Sequence, residues 1–254
     1  MGTLRRICKR SGAVRAAYKL LLRAARSIRF LADFVRFARL QDGRFKLSFA
    51  DRLLCLDDAG PTRFDEHYLY HTAWAARILA QNAPAVHTDI SSCLRFVSLV
   101  SAFVPVRQYN FQALDLGLAG LECLQADLLR LPFADGSIDS LSCMHVVEHV
   151  GLGRYGDPLA PEGDQKAMSE LKRVLAPGGT LLFVVPVGGT AKIQFNAHRI
   201  YTAPQILAAF QGLRLLDFAL ITDENGVRRF ISPAPTTLAD AQDYGCGCFW
   251  FQKP

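Results

Sequence analysis

The sequence has no uncharged apolar run long enough to cross a membrane. Its first residues carry too many charges within their apolar part to resemble a secretory signal. Seven cysteines are present, but their spacing does not repeat, so neither a disulfide framework nor a paired-cysteine zinc site is indicated. The odd cysteine count and the missing signal together predict reduced thiols in a cytoplasmic protein.

What the sequence does have is enough apolar material for a sizeable core. Apolar residues make up 50% of the 254 positions and charged residues 20%, which excludes global disorder. A chain of this length fits one complete α/β domain with a modest extension. We therefore expect a main domain at residues 64–254, preceded by an arm and connector at residues 1–63.

The positive charge is concentrated in the arm. Residues 1–46 contain thirteen lysines and arginines against two aspartates, a net charge of about +11, whereas the whole chain has +6. Residues 13–40 also have helical periodicity, which predicts an amphipathic helix. Its apolar stripe consists of Val14, Tyr18, Leu21, Ala25, Ile28 and Val35, and its basic stripe of Arg15, Lys19, Arg23 and Arg26.

Three interpretations of the arm remain open. The helix could pack on its own domain or on a protein partner and leave a solvated basic face. Residues 1–40 could instead lie on an anionic membrane surface, at the inner face of the membrane. Phosphate neutralisation on a nucleic acid is the least favoured interpretation, because no recognisable nucleic-acid motif accompanies the charge.

Strand and helix signals alternate through the main domain. This alternation predicts an α/β fold with a mainly parallel sheet. The predicted strands are 85–90, 104–111, 121–124, 138–144, 180–185, 213–222 and 246–251, and the predicted helices are 64–82, 91–103, 164–175 and 203–212. Ligands of such sheets bind beyond the carboxyl ends of the strands, so we expect the chemistry just after residue 144.

The Pro177-Gly178-Gly179 turn and the segments around it resemble a known superfamily. The segments 131–139 and 171–182 resemble the class I methyltransferases that use S-adenosylmethionine. Pro177 ends the helix and a glycine can cap it, so the turn is structural. The resemblance implies a Rossmann-like sheet of seven strands, of which the last is antiparallel.

Two longer motifs resemble one family within that superfamily. The segments 151–158 (GLGRYGDP) and 195–201 (FNAHRIY) are similar to the methyltransferase-like family called domain of unknown function, number 268. That resemblance covers residues 64–254. It implies a methyltransferase for an unknown small-molecule or glycan acceptor; the alternative is a methyltransferase-like module that binds or scaffolds without catalysis.

The resemblance also implies where S-adenosylmethionine would bind. Asp89 and Ser91 match the acidic residue and the glycine that follow the first strand, near the amino-acid end of the cofactor. Asn110 matches the acidic residue that accepts hydrogen bonds from both ribose hydroxyls, although its side-chain amide carries no negative charge. Asp127 and Leu128 match the segment that meets the adenine.

The acceptor side is predicted from the polar residues after the fourth strand. His145, His149 or His198 could take a proton from the acceptor if the reaction requires it. The residues that could bind the acceptor are Arg154, Tyr155, Asp157, Asn196 and Arg199. Each of these side chains could instead anchor a loop.

No metal site is predicted, although three patterns suggest one. His67 and His71 stand four residues apart, which suits a metal but is commoner in a helix with a buried aromatic face. The segment 145–149 fits the zinc-protease pattern HxxEH, but glycines soon interrupt the helix that it requires. Cys246 and Cys248 lack a second cysteine pair.

Overall fold

The computed structural model describes residues 12–40, 44–54, 64–112, 114–224 and 227–254. The chain separates into two compact units, residues 1–63 and residues 64–254, and each is described by itself. Parts of the predicted connector, residues 41–43 and 55–63, lie outside the described residues.

The first unit contains the predicted helix, α1, at Gly12–Leu40, and a short 3-10 turn at Phe49–Asp51. Phe34 of α1 packs edge-on against Phe49, with 5.2 Å between ring centroids. The predicted apolar stripe is on the other side: Leu21 and Ile28 are each 69% exposed. No helix in the described ranges is both long and apolar enough to cross a membrane.

The second unit is built on an eight-stranded sheet. Its strands are β1 His87–Ile90, β2 Val106–Asn110, β3 Leu121–Gln125, β4 Ile138–Met144, β5 Leu175–Val187, β8 Arg214–Ile221, β9 Phe230–Ile231 and β10 Gly245–Gln252. Their order across the sheet is β3-β2-β1-β4-β5-β10-β8-β9. Strands β1 to β5 pair in parallel, and β10 runs antiparallel between β5 and β8. The predicted α/β fold with an antiparallel last strand is confirmed.

Four helices cover the two faces of this sheet. They are α2 Glu66–Asn82, α3 Leu94–Val100, α4 Gly163–Val174 and α5 Ala203–Ala209. Asp65 caps the start of α2 by accepting the backbone N–H of Tyr68. At the start of α5, Thr202 and Gln205 form a reciprocal capping box. Capping side chains in the sequence therefore fix where these two helices begin.

Strand β5 divides its side chains between two cores. Leu181 and Phe183 pack with α4 and α5 on one face of the sheet. Leu182 and Val184 pack with α2 and α3 on the other face. Successive strand residues point to opposite faces, so a strand buried on both sides has to be apolar throughout. This explains why β5 lacks the alternation of an exposed strand.

A small antiparallel hairpin, which the sequence did not predict, follows β5. Its strands are β6 Lys192–Gln194 and β7 His198–Ile200. The turn between them contains Asn196, whose φ of 59° is left-handed and suits asparagine. The hairpin joins the sheet where the backbone N–H of Tyr201 donates to the carbonyl of Pro186.

Candidate functional site

The carboxyl ends of β1, β2 and β3 lie side by side at one edge of the sheet. Ile90 is in register with Tyr109, and Asn110 is in register with Gln125. Ser91, Asn110 and Asp127, which the sequence associates with the cofactor, therefore reach the same edge. Ser91 and Asn110 are half-buried and Asp127 is exposed, so a ligand can approach all three.

Asp89 differs from these three because it is completely buried. Its Oδ1 accepts the backbone N–H of Ser92 at 3.0 Å and the amide of Gln108 at 3.2 Å, and its Oδ2 accepts the hydroxyl of Ser142. Burial raises the pKa of Asp89 above its ordinary value, while these hydrogen bonds oppose that rise. Asp89 thus holds the turn after β1 and ties it to β2 and β4.

Ser91 adopts the backbone conformation of the glycine that the superfamily resemblance leads one to expect. Its φ is 56°, in the left-handed region that L-residues rarely occupy. The Ser91 hydroxyl and backbone N–H both donate to the carbonyl of Tyr109, at 3.1 and 2.9 Å. Two hydrogen bonds therefore hold a turn that glycine would adopt without strain.

Asp127 and Leu128 form a tight turn directly after β3. Asp127 Oδ1 accepts the backbone N–H of Leu129 at 2.8 Å, whereas the Leu128 side chain is buried in the core. The turn presents the carboxyl group of Asp127 to solvent and fixes its backbone. Of this pair, Asp127 is the one that can meet a ligand through its side chain.

On the other side of β4, residues 145–162, here called the β4 loop, pack against the hairpin. The carbonyl of Ala197 accepts two hydrogen bonds from the loop, from His149 Nδ1 at 2.6 Å and from Arg154 at 3.1 Å. The Arg154 guanidinium also lies over the Tyr155 ring, 5.1 Å from its centroid. The hairpin and the β4 loop are thus joined at His149 and Arg154.

Asp157 closes the β4 loop on itself. Its carboxylate accepts backbone N–H groups of Gly151 at 2.7 Å and Tyr155 at 3.2 Å. Burial opposes the charge, but these hydrogen bonds lower the pKa of Asp157 below its ordinary value. The geometry favours the loop-anchoring alternative for Asp157.

Arg199 is likewise buried and bonded to other parts of the protein. It is 5% exposed, and its guanidinium donates to the carbonyls of Val150 at 2.6 Å and Pro161 at 3.1 Å. Arg199 Nε also lies 3.5 Å from the Asp164 carboxylate. These contacts favour an anchoring role for Arg199, while Tyr155 and Asn196 are exposed at the surface of the loop and hairpin.

His145 begins the β4 loop with a left-handed φ of 56°. Its Nδ1 lies 2.7 Å from Glu148 Oε1, and its Nε2 lies 3.3 Å from Cys246 Sγ. Burial alone would lower the pKa of His145, but Cys246 and Glu148 raise it to about 10. The zinc-protease pattern at 145–149 does not lie on one continuous helix, since only a 3-10 turn covers Val147–His149.

Two further histidines lie close to His145. His67 and His71 project from α2 toward His145, with ring centroids 6.1 and 5.0 Å from its ring. Burial lowers the pKa of His67 to about 4 and that of His71 well below its ordinary value. Among the described residues, the buried side-chain atoms without a hydrogen-bond partner include Nε2 of His67, His71 and His198, and Oε2 of Glu148.

Sequence reasoning missed the meeting of His67, His145 and Cys246, which all contribute a donor atom to one small space. These residues come from α2, from the end of β4 and from the start of β10. The sequence signal was present only as three local pairs: 67 with 71, 145 with 149, and 246 with 248. Topology alone brings one member of each pair together.

The fold of the second unit is also found in solved structures of other proteins. Two solved structures share it: a Burkholderia thailandensis 1,6-didemethyltoxoflavin-N1-methyltransferase with bound S-adenosylhomocysteine, and a Galdieria sulphuraria protein described as a "putative sarcosine dimethylglycine methyltransferase". The first is 13% identical with a TM-score of 0.51, over 72% of this chain and 78% of that one. The second is 16% identical with a TM-score of 0.52, over 73% and 86%. The second unit therefore has the class I methyltransferase fold.

Within that fold, residues 133–227 match the family described as "Caenorhabditis protein of unknown function, DUF268". The match includes both motifs on which the sequence resemblance depends, so the predicted resemblance is confirmed, although the matched range is shorter than the predicted 64–254. It covers β4, the β4 loop, the hairpin and β8. It does not cover the carboxyl ends of β1, β2 and β3, where Ser91, Asn110 and Asp127 lie, here called the cofactor edge. None of the curated proteins matches the chain.

Proposed function

We propose that this protein is an S-adenosylmethionine-dependent methyltransferase with a small-molecule or glycan acceptor. The observation that carries the proposal is the cofactor edge: Ser91, Asn110 and Asp127 reach adjacent strand ends of a methyltransferase sheet, at positions open to a ligand. When bound, the cofactor supplies an electrophilic methyl group. The protein's task is then to align an acceptor atom with it.

The residues at this edge suit the parts of the cofactor that they would meet. The left-handed turn at Ser91 would hold the amino-acid end against the backbone. The Asn110 amide can both donate to and accept from the ribose hydroxyls. The exposed Asp127 carboxylate can accept a hydrogen bond from the adenine amino group. The residues present therefore fit the cofactor. The buried Asp89 carboxylate holds the turn after β1, on which Ser91 lies.

Of the three predicted bases, His198 is the one that we favour. Its Nε2 is buried without a hydrogen-bond partner among the described residues, and burial lowers the pKa of His198, so the ring is neutral near pH 7 and able to accept a proton. His149 Nδ1 is held by the Ala197 carbonyl, which orients its ring toward His198, 6.3 Å away. Both nitrogens of His145 have partners, so we assign it no base role.

Isothermal titration with S-adenosylmethionine tests the proposal. We expect saturable binding that weakens about tenfold in Asn110→Ala and in Asp127→Ala, because each loses a hydrogen bond to the cofactor. Glu122→Ala is the matched control: it lies in β3 but pairs with Arg107 on the surface, away from the strand ends. Absence of binding by the wild-type protein at millimolar cofactor would overturn the proposal.

A non-catalytic binding or scaffold module is the second candidate function. It is favoured by Asp89, whose buried carboxylate already accepts three hydrogen bonds from the protein. On that alternative, the Asn110→Ala/Asp127→Ala double variant keeps its biological activity. Asp89→Ala cannot decide between the two candidates, because it would disturb the turn itself.

We also propose that α1 docks on an anionic membrane surface, with a protein partner as the competing interpretation. The support is the exposed apolar stripe, together with the net charge of about +11 in residues 1–46. Apolar side chains would enter the interface while the basic residues meet anionic headgroups.

A further inference from the structure

Three potential metal ligands converge on one point beside the carboxyl end of β4. His67, His145 and Cys246 each offer one donor atom, and the three atoms all lie within 4.8 Å of one another. His145 Nε2 and Cys246 Sγ are 3.3 Å apart. Two donors on a tetrahedral zinc ion, one nitrogen and one sulfur, are separated by about 3.6 Å. The separation of His145 Nε2 and Cys246 Sγ is therefore close to that of two ligands on one zinc ion.

One of the three donor atoms, His67 Nε2, has no hydrogen-bond partner among the described residues. His67 is 4% exposed and Cys246 is 0% exposed, so the part of the chain that the structure describes leaves the His67 nitrogen buried and unpaired. A buried polar atom without a partner costs about 1–3 kcal/mol. A ligand that the nitrogen could bind would remove that cost.

Glu148 orients the central histidine in the way that metal sites require. Its Oε1 accepts a hydrogen bond from His145 Nδ1 at 2.7 Å. Because Nδ1 is occupied by this hydrogen bond, Nε2, which faces Cys246, is the nitrogen available to a metal ion, and the ion would displace the proton on it. Metal-bound histidines commonly donate their second nitrogen to a carboxylate in this manner.

We propose that His67 Nε2, His145 Nε2 and Cys246 Sγ bind a zinc ion. Two imidazoles and one thiolate suit zinc, which prefers tetrahedral coordination by nitrogen and sulfur. Three protein ligands leave the fourth position for water or another small ligand. The ion would connect α2, β4 and β10, and its binding does not depend on methyl transfer.

Cys246, His145 and Glu148 could instead support nucleophilic catalysis, with Cys246 as the nucleophile. A nucleophile has to be reached by its substrate, but the Cys246 side chain is completely buried. Direct coordination to a cation would stabilise the Cys246 thiolate.

Cobalt substitution tests the site in the full-length protein. The chain is stripped of metal with a chelator, kept reduced, and titrated with Co²⁺. We expect one Co²⁺ per chain, with the sulfur-to-cobalt charge-transfer absorption of a thiolate ligand and the intense visible bands of tetrahedral cobalt. Added Zn²⁺ should displace the cobalt and remove both signals.

Paired cysteine variants identify the ligand. Cys246→Ser should lose the charge-transfer absorption, whereas Cys248→Ser should keep it. Cys248 is the matched control because it is equally buried, two residues along the same face of β10. Retention of the absorption in Cys246→Ser, or the absence of saturable cobalt binding in the wild-type protein, would overturn the proposal.

Affinities for Zn²⁺ provide the second measurement and do not require Cys246→Ser to fold. His67→Gln should bind zinc at least about 100-fold more weakly, because it removes a ligand. Glu148→Gln should weaken zinc binding about 10–100-fold, the usual effect of losing a carboxylate behind a metal-bound histidine. Circular dichroism would confirm that each variant is folded, and wild-type affinity in folded His67→Gln would contradict the assignment.

Discussion

At the scale of single residues, Asp89 is a structural acid rather than an exposed ligand. Three donors from three different segments converge on its buried carboxylate: the Ser92 N–H, the Gln108 amide and the Ser142 hydroxyl. The superfamily resemblance implied that Asp89, at the end of the first strand, lies near the amino-acid end of the cofactor. The burial of its side chain could not be deduced from that position, because it depends on what β2 and β4 place opposite.

Asp89→Ala should therefore lower the free energy of unfolding by about 2–4 kcal/mol, since it leaves several buried donors without an acceptor. Asp127→Ala is the control, because Asp127 is exposed and its side chain accepts only the Leu129 N–H among the described contacts. We expect that control to lose about 1 kcal/mol or less in urea unfolding. Equal losses in the two variants would show that Asp89 does not hold the turn.

Ser91 offers a test of backbone conformation at the same turn. Ser91→Gly should change the free energy of unfolding by no more than about 1 kcal/mol, because relief of the left-handed φ offsets the lost hydrogen bond from the hydroxyl to the Tyr109 carbonyl. Ser91→Val should lower it by about 1–3 kcal/mol, because a β-branched residue is strained at positive φ. Thermal unfolding of both variants would check the order, and a Val variant as stable as the Gly variant would refute it.

At the scale of elements, the β4 loop and the hairpin depend on one buried arginine. Arg199 bridges Val150, Pro161 and Asp164, which come from the loop and from the first turn of α4. Arg154, in contrast, makes a single hydrogen bond to Ala197 at the surface. The two arginines look alike in the sequence, and only their burial separates anchoring from surface contact.

Arg199→Met should lower the free energy of unfolding by about 3 kcal/mol, because it leaves Asp164 buried without its cation. Arg154→Met should cost less than about 1 kcal/mol, since the side chain is exposed. Urea unfolding with an unchanged m-value would measure both. If Arg154→Met proved the more damaging of the two, the anchoring role assigned to Arg199 would be wrong.

Strands and helices with strong local patterns were predictable from the sequence, whereas the hairpin was not. Strand β4 and helix α4 lie within one residue of their predicted bounds, because apolar runs and helical periodicity are local signals. The predicted glycine cap of α4 is wrong: the helix ends at Val174, Leu175 is already extended, and Pro177 lies within β5. β6 and β7 are three residues each and carry exposed polar side chains, so periodicity could not reveal them. The grouping of His67, His145 and Cys246 was also hidden, because it follows from strand order.

At the scale of the whole molecule, the basic helix α1 should direct the protein to anionic surfaces. We expect the full chain to co-sediment with liposomes that contain anionic lipid, and a variant without residues 1–40 to remain in the supernatant. Leu21→Ser combined with Ile28→Ser should reduce binding at least about tenfold while keeping the charge, because both side chains are exposed apolar residues of the stripe. Unchanged co-sedimentation after the deletion would refute membrane docking by the arm.

The central claim is that the edge formed by β1, β2 and β3 holds the cofactor, and hydrogen exchange with S-adenosylhomocysteine tests it most directly. The account predicts slower exchange in peptides that cover residues 89–92, 110–112 and 126–129, where the three strands end. Peptides from the α1 arm should exchange at unchanged rates. Saturating ligand that leaves those three segments unprotected, or that protects only other parts of the chain, would contradict the account.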